Sequence, residues 1–426
     1  MSAPEKIPGI HYHDAGLLRF LTCGSVDDGK STLIGRLLYD SKSILADTLH
    51  AIERTSKRRG LETVDLSLLT DGLQAEREQG ITIDVAYRYF STGMRKYIIA
   101  DAPGHEQYTR NMVTAASTAN LAIILVDARK GVLTQTRRHS YIAHLVGIPH
   151  LVVAVNKMDL VGYSQEVFEQ IRKAYLDFAA SLGIRDVRFI PLSALNGDMV
   201  VERGERLGWY DGPTLMALLE SAPAAHSEAK ENFRFPVQYV CRPRTTEHHD
   251  FRGYMGRVES GEIAVGDEVQ VLPSGRTTRI RDIRLHDCSL SHAGSERSVT
   301  LLLEDELDIS RGDMIVSPAN TPTVMKQIEA MVCWLAETPL EPGRKLLLRH
   351  TTRETKALVA AIEYRQDINA LKRISGDRLA MNDIGSITFK LAQPLFVDRY
   401  RDNRSTGAFI LIDEATNNTV GAGMIV

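Results

Sequence analysis

The chain has 426 residues, 43% of them hydrophobic and 25% charged. That ordinary globular balance excludes wholesale disorder, a collagen-like repeat and a disulfide scaffold. Its 51 Lys and Arg stand against 54 Asp and Glu, a formal net charge of −3, which argues against nucleic-acid binding by bulk charge but leaves room for a local basic patch. The length predicts two or three domains of about 100–200 residues each. The stretch from Met1 to Ala15 contains Glu5, Lys6, His11 and Asp14 without an apolar core, so it does not read as a signal peptide. The longest apolar runs, near Leu121–Val126 and Leu151–Val155, fall well short of the roughly 18 residues a membrane span needs.

In the first half, short apolar runs alternate with helical patterns. Leu17–Cys23, Tyr97–Ala100, Leu121–Val126, Leu151–Val155 and Phe189–Leu192 read as buried strands. Their Val/Ile/Leu content suits a parallel sheet covered on both faces. The clearest helix starts after Ser164, a predicted N-cap. It carries Val167, Phe168, Ile171, Tyr175, Phe178 and Leu182 at i, i+3, i+4 spacing and ends at Gly183. Strands alternating with helices predict a doubly wound α/β domain.

The texture changes at Ser221–Asn232, a small polar stretch with Pro223 that reads as a linker. Gly253–Val258, Glu268–Leu272, Thr277–Ile283 and Val299–Leu303 then follow closely, with alternating patterns and glycine turns. A second break falls at Ser317–Pro322. Strand patterns resume through Val332–Leu335, Arg344–Leu348, Leu358–Tyr364, Ser386–Leu391 and Phe409–Asp413. The expected plan is an α/β domain over residues 1–222 and two antiparallel β-barrels over 232–318 and 322–426.

The chemistry is concentrated at strand ends. Gly24-Ser25-Val26-Asp27-Asp28-Gly29-Lys30-Ser31 fits G-x-x-x-x-G-K-[ST]. It lies directly after the strand Leu17–Cys23 and before a helical pattern through Leu33, Leu37 and Leu38, which is the context a phosphate-binding loop requires. Its backbone N–H groups and the helix N-terminus are expected to face phosphate oxygens, with Thr32 next in line. Lys30 should reach the β- and γ-phosphates and the Ser31 hydroxyl should bind Mg²⁺.

Asn156-Lys157-Met158-Asp159 follows the strand Leu151–Val155 and resembles the guanine-reading element of the GTPase superfamily. An Asp159 carboxylate can accept from both N1–H and the exocyclic amine of guanine. Adenine lacks that donor pair and would leave the carboxylate unpaired. The Lys157 stem can lie over the ring. Ser193-Ala194-Leu195 matches the third base-contacting segment, where a backbone N–H meets guanine O6. Asp101-Ala102-Pro103-Gly104 resembles the D-x-x-G element. The resemblance implies that Asp101 holds Mg²⁺ through a water and that the Gly104 N–H bonds the γ-phosphate. It gives His105 the task of positioning the attacking water. Gly80-Ile81-Thr82-Ile83 resembles the switch I tail, where Thr82 closes over Mg²⁺ and the γ-phosphate. The implied catalytic residues are therefore Lys30, Thr82 and His105.

The whole chain resembles translation-factor GTPases: an α/β P-loop GTPase domain with a mostly parallel sheet, then two elongation factor Tu-like barrels. Arg252–Leu272 and Gly407–Val426 carry the barrel likeness. Elongation factors usually have histidines in the P-loop where this sequence has Ser25 and Asp28, and a basic residue where it has Gln79. The strings GSVDDGKSTLIGRLLYDSK at Gly24–Lys42, QGITIDVAYRYF at Gln79–Phe90 and FVDRYRDNRSTGAFILID at Phe396–Asp413 resemble the GTPase-subunit family of the two-subunit bacterial sulfate adenylyltransferases. That resemblance implies GTP/GDP and Mg²⁺ as cofactors and hydrolysis of GTP. It implies coupling to adenosine 5′-phosphosulfate formation on a catalytic partner subunit that binds ATP and sulfate, the two expected to form a heterodimer or a multiple of it. It implies no nucleic-acid or membrane partner. The alternative is a translation GTPase delivering aminoacyl-tRNA. Some relatives add an adenylylsulfate kinase domain, but no second P-loop motif follows Lys30.

Three features are discounted. Cys23, Cys241, Cys288 and Cys333 lack metal-ligand or CxxC spacing, so buried reduced thiols and a cytoplasmic compartment are expected. His248-His249-Asp250 reads as a loop, and Arg54–Arg59 as a solvated helix face.

Overall fold

The computed structural model describes residues 16–44, 46–58, 64–69, 84–105, 108–184, 186–223, 232–242, 251–286, 288–367, 370 and 372–426. The chain divides into two compact units, Met1–Ala225 and His226–Val426. In the first unit, β1 (Leu17–Cys23), β2 (Ala86–Ser91), β3 (Lys96–Asp101), β4 (Leu121–Asp127), β5 (His150–Asn156) and β6 (Val187–Pro191) form one sheet. Its order is β2-β3-β1-β4-β5-β6. The neighbours from β3 to β6 are parallel, whereas β2 runs antiparallel along β3. Every residue of β4 is buried, as is all of β5 except His150, because helices cover both faces.

The helices are α1 (Lys30–Asp40), α2 (Ala46–Arg58), α3 (Thr109–Ala116), α4 (Thr134–Leu145), α5 (Gln165–Leu182) and α6 (Leu215–Ser221). The bounds of α5 follow from its caps. The Ser164 hydroxyl accepts from the Val167 N–H, and Gly183 ends the helix at φ 74°, a conformation glycine adopts without Cβ strain. Phe168, Ile171, Tyr175 and Phe178 form its buried stripe. On α2 the basic run is an exposed face at Arg54, Lys57 and Arg58, while Ile52 and Ser56 point inward.

The second unit contains two closed six-stranded antiparallel rings. One runs through Glu268–Leu272, Met314–Val316, Arg234–Cys241, Gly253–Arg257, Ser298–Leu303 and Arg276–Leu285, which pairs back to the first. The other runs through Lys345–His350, Ala408–Ile412, Thr419–Ile425, Thr323–Trp334, Ile384–Val397 and Arg353–Asp367, again closing on its first strand. Closure leaves no ring edge unpaired. Each barrel has its own core, one around Phe235, Tyr254 and Ile280, the other around Trp334, Phe389 and Leu411.

The cysteine expectation needs correction. All four are free thiols, but only Cys23 and Cys333 are buried; Cys241 is half-buried and Cys288 exposed. Cys288 opens a three-residue strand paired only at the end of Arg276–Leu285, too short to cover its side chain. His248-His249-Asp250 lies outside the described residues. Among the described residues no helix is long and apolar enough to cross a membrane.

Candidate nucleotide site

Sheet topology places the site. The strand order reverses at β1, which lies between β3 and β4. In a doubly wound sheet this opens a crevice beyond the carboxyl ends of the strands. The P-loop follows β1, Asp101 ends β3, Asp127 ends β4, Asn156 ends β5, and Ser193 follows β6. Residues scattered over 170 positions are thus brought to one side of the sheet.

The phosphate loop is held by its own polar groups. The Ser25 N–H donates to Asp28 Oδ2 at 2.6 Å, and the Asp28 N–H donates back to the Ser25 carbonyl at 3.3 Å. Asp27 and Gly29 take positive φ, at 67° and 93°. Val26 and Asp27 form the loop's outer turn, and Ser31 and Thr32 follow Lys30 in the first turn of α1. Lys30 is 7% exposed, and its ammonium donates to the Gly24 and Ser25 carbonyls at 3.1 Å each. Burial lowers its pKa, opposed by Asp101 and Asp28. Ser25 Oγ and Asp28 Oδ1 are buried with no hydrogen-bond partner among the described residues. A buried ammonium inside a ring of backbone dipoles suits a polyanion.

Asn156 ties this loop to the segment that follows β6. Its Nδ2 donates to the Asp28 carbonyl at 2.8 Å, and its Oδ1 accepts from the Ala194 N–H at 3.0 Å. A Cβ on Gly29 would meet Asn156 Nδ2 at 2.4 Å, so the glycine is required for this approach as well as for its φ. Lys157, in left-handed conformation at φ 62°, donates to the Asp27 carbonyl and pairs with Asp127 Oδ2 at 3.1 Å. Asp159 Oδ1 accepts from the Ser193 hydroxyl at 2.6 Å, which in turn accepts from the Asn196 N–H. Leu195 is exposed at the rim.

Sequence reasoning missed Asp127. Its carboxylate is fully buried yet binds Lys157 and three donors of Arg129. Burial pushes the Asp127 carboxyl up, but the Arg129 and Lys157 hydrogen bonds outweigh it and hold it well below the carboxylate range. The one signal available was an acidic residue closing an otherwise apolar run. The neighbouring Cys23 thiol is pushed up to about 12 by burial, so it stays protonated and unreactive.

On the switch side, Asp101 is buried and accepts from the Thr22 hydroxyl at 3.3 Å. Gly104 packs on the phosphate loop: a Cβ there would lie 2.7 Å from both the Gly24 carbonyl oxygen and Lys30 Nζ. His105 is exposed beside it, its ring 6.2 Å from that of Tyr108. Thr82 and the segment around it lie outside the described residues. Of the cation ligands expected from the sequence, the Ser31 hydroxyl and the Asp101 carboxylate lie among the described residues. Among the described residues no group of three His, Cys, Asp or Glu could hold a metal ion. That sparse, all-oxygen set fits Mg²⁺, which keeps its waters and takes the rest of its shell from phosphates.

A doubly wound nucleotide domain with a guanine-type base loop, in one chain with two closed barrels, is the build of an elongation-factor-type GTPase. Residues 16–225 match the family model "Elongation factor Tu GTP binding domain", and residues 327–426 match "GTP-eEF1A C-terminal domain-like". Sulfate adenylyltransferase subunit 1 of Saccharophagus degradans is 55% identical over 412 residues, covering 96% of this chain and 87% of that protein. The protein of the same name from Laribacter hongkongensis is 56% identical over 412 residues, covering 96% and 85%. The chain belongs to the sulfate adenylyltransferase subunit 1 family. A crystal structure of sup35 complexed with GDP is 22% identical, covering 100% of this chain and 97% of that one, at a TM-score of 0.44.

Proposed function

We propose that this chain is the GTP-hydrolysing subunit of a two-subunit sulfate adenylyltransferase. It couples GTP hydrolysis to formation of adenosine 5′-phosphosulfate and pyrophosphate from ATP and sulfate on a separate catalytic subunit. The carrying observation is the side chain of Asn156, which joins a phosphate loop to an Asp159–Ser193 base-reading pair in a chain of this family. A phosphate–sulfate anhydride is a high-energy bond, so its formation needs a driving reaction. The four free cysteines support a cytoplasmic setting.

In this mechanism Asp159 accepts from guanine N1–H and the exocyclic amine. Lys30 neutralises charge on the β- and γ-phosphates. His105 orients the water that attacks the γ-phosphorus as the bridging bond to the β-phosphate breaks, giving GDP and phosphate. Ser31, Asp101 and Thr82 would hold Mg²⁺, which when bound offsets the charge on the phosphate oxygens. The Gly104 N–H and Thr82 bond the γ-phosphate. Its loss frees both segments, and that release is what the catalytic subunit senses.

The test measures the GTPase rate of the purified chain alone, then with a candidate adenylyltransferase subunit, ATP and sulfate. Stimulation requiring both the subunit and its substrates is expected. Stimulation by ribosomes or charged tRNA instead would overturn the assignment.

A further inference from the structure

Two turns into α1, Arg36 reaches across to the base-reading loop. Its Nε donates to the Ala194 carbonyl at 3.2 Å and its Nη2 to the Leu195 carbonyl at 2.5 Å. The guanidinium is itself fixed from the helix side. Asp40 lies 3.5 Å from Nη1, one turn on, and the Tyr39 ring centroid is 5.7 Å from the guanidinium carbon. Gly197, at φ 86°, lies alongside the arginine stem, where a Cβ would sit in ordinary contact 3.6 Å from Arg36 Cδ.

We infer that Arg36 is a positioning residue for guanine recognition. The inference rests on the reading above, in which this segment meets guanine O6 through a backbone N–H. In a trans peptide the carbonyl and the following N–H point in opposite directions. Holding the Ala194 carbonyl therefore sets the direction of the Leu195 N–H. The Ala194 N–H is already given to Asn156, so the Leu195 N–H is the group of this peptide pair that faces the base. The contacts described for Arg36 are with protein groups, the Ala194 and Leu195 carbonyls, Asp40 and Tyr39. It acts by aiming that one donor from the same helix whose first residue, Lys30, serves the phosphates.

The test compares GDP, 6-thio-GDP and IDP binding to the parent chain, R36A and R36K. Six-thio-GDP changes only the atom at position 6 to a poorer acceptor, and IDP removes only the exocyclic amine. R36A is expected to bind GDP and IDP about tenfold more weakly, the scale of one well-made hydrogen bond, with little change for 6-thio-GDP. R36K, which can reach one carbonyl, should recover part of the loss. Equal weakening for all three ligands would overturn the positioning role. A parent chain that binds 6-thio-GDP as tightly as GDP would overturn the O6 placement itself, and Arg36's role with it. Should R36A not fold, the same three titrations on R36K decide the matter.

Discussion

His139, on α4, is 3% exposed, and its Nδ1 has no hydrogen-bond partner among the described residues. Burial, then the charges of Lys30 and Arg138, push its pKa down to about 3. In the unfolded chain a histidine titrates near 6.5. Between those values the unfolded state binds a proton that the native state does not. Native stability is therefore full above the unfolded value and falls as pH drops from about 6.5 toward 3, by at most about 1.4 kcal/mol per pH unit for this group. His144 and His350 are shifted downward by burial too, so some acid sensitivity persists without His139. Replacing His139 by Gln should shrink the fall of the thermal midpoint between pH 7 and pH 5 relative to the parent. An unchanged fall would show that His139 does not titrate this way.

At the scale of elements, Gly104 lies close against the phosphate loop, just beyond the end of β3. A methyl at Gly104 would press on the Gly24 carbonyl and on Lys30 at 2.7 Å, closer than real Cβ contacts, so the segment after β3 has to move off the phosphate loop. G104A should keep GDP binding close to the parent's, because the base-reading contacts lie elsewhere. Its single-turnover GTP hydrolysis should fall by about ten- to a hundredfold, the usual effect of displacing a reacting group by a fraction of an ångström to an ångström. Rapid-quench assays beside a GDP titration would check this, and parent-like hydrolysis would refute it. Elements of this sheet were legible from sequence where burial was continuous. The runs Leu17–Cys23 and Leu121–Val126 became β1 and β4 nearly residue for residue. By contrast, β2 was not read as a strand, because Tyr87 and Tyr89 face outward from an edge strand and break the apolar pattern. In the second barrel only parts of Thr323–Trp334, Arg353–Asp367 and Ile384–Val397 were foreseen. Register shifts at Met325/Gln327 and Val359/Ala361 reverse the inward–outward alternation mid-strand. Asp127 and Arg36 stayed hidden for another reason. Lys157 is 30 positions from the first, and Ala194 is 158 from the second, so no local pattern records either pairing; the Asp127–Arg129 contact is local but by itself reads as an ordinary turn.

For the whole molecule, the open question is what makes two barrels one unit. Arg234, in the first barrel's strand Arg234–Cys241, has no exposed side-chain surface. Its Nε and Nη2 each lie 2.9 Å from an oxygen of Asp398, just beyond Ile384–Val397 of the second barrel. Its Nη1 donates to the Phe233 and Asn320 carbonyls. The Thr406 hydroxyl donates to Asp398, and Asn403 reaches back to Ser260. Leu272, Met314, Val316 and Phe396 fill the space alongside. Removing the guanidinium would strand a nearly buried carboxylate and two carbonyls, at a cost of about 3–5 kcal/mol. For a unit of this size that corresponds to a melting shift on the order of 10 °C. R234A should therefore lower the calorimetric transition that GDP does not raise, while the GDP-responsive transition keeps its ligand shift. The double variant R234M/D398L, which removes both charges together, should recover much of the loss. If R234A leaves both transitions in place, the barrels are held by the apolar cluster and the hydrogen bonds beside it, and the ion pair contributes little.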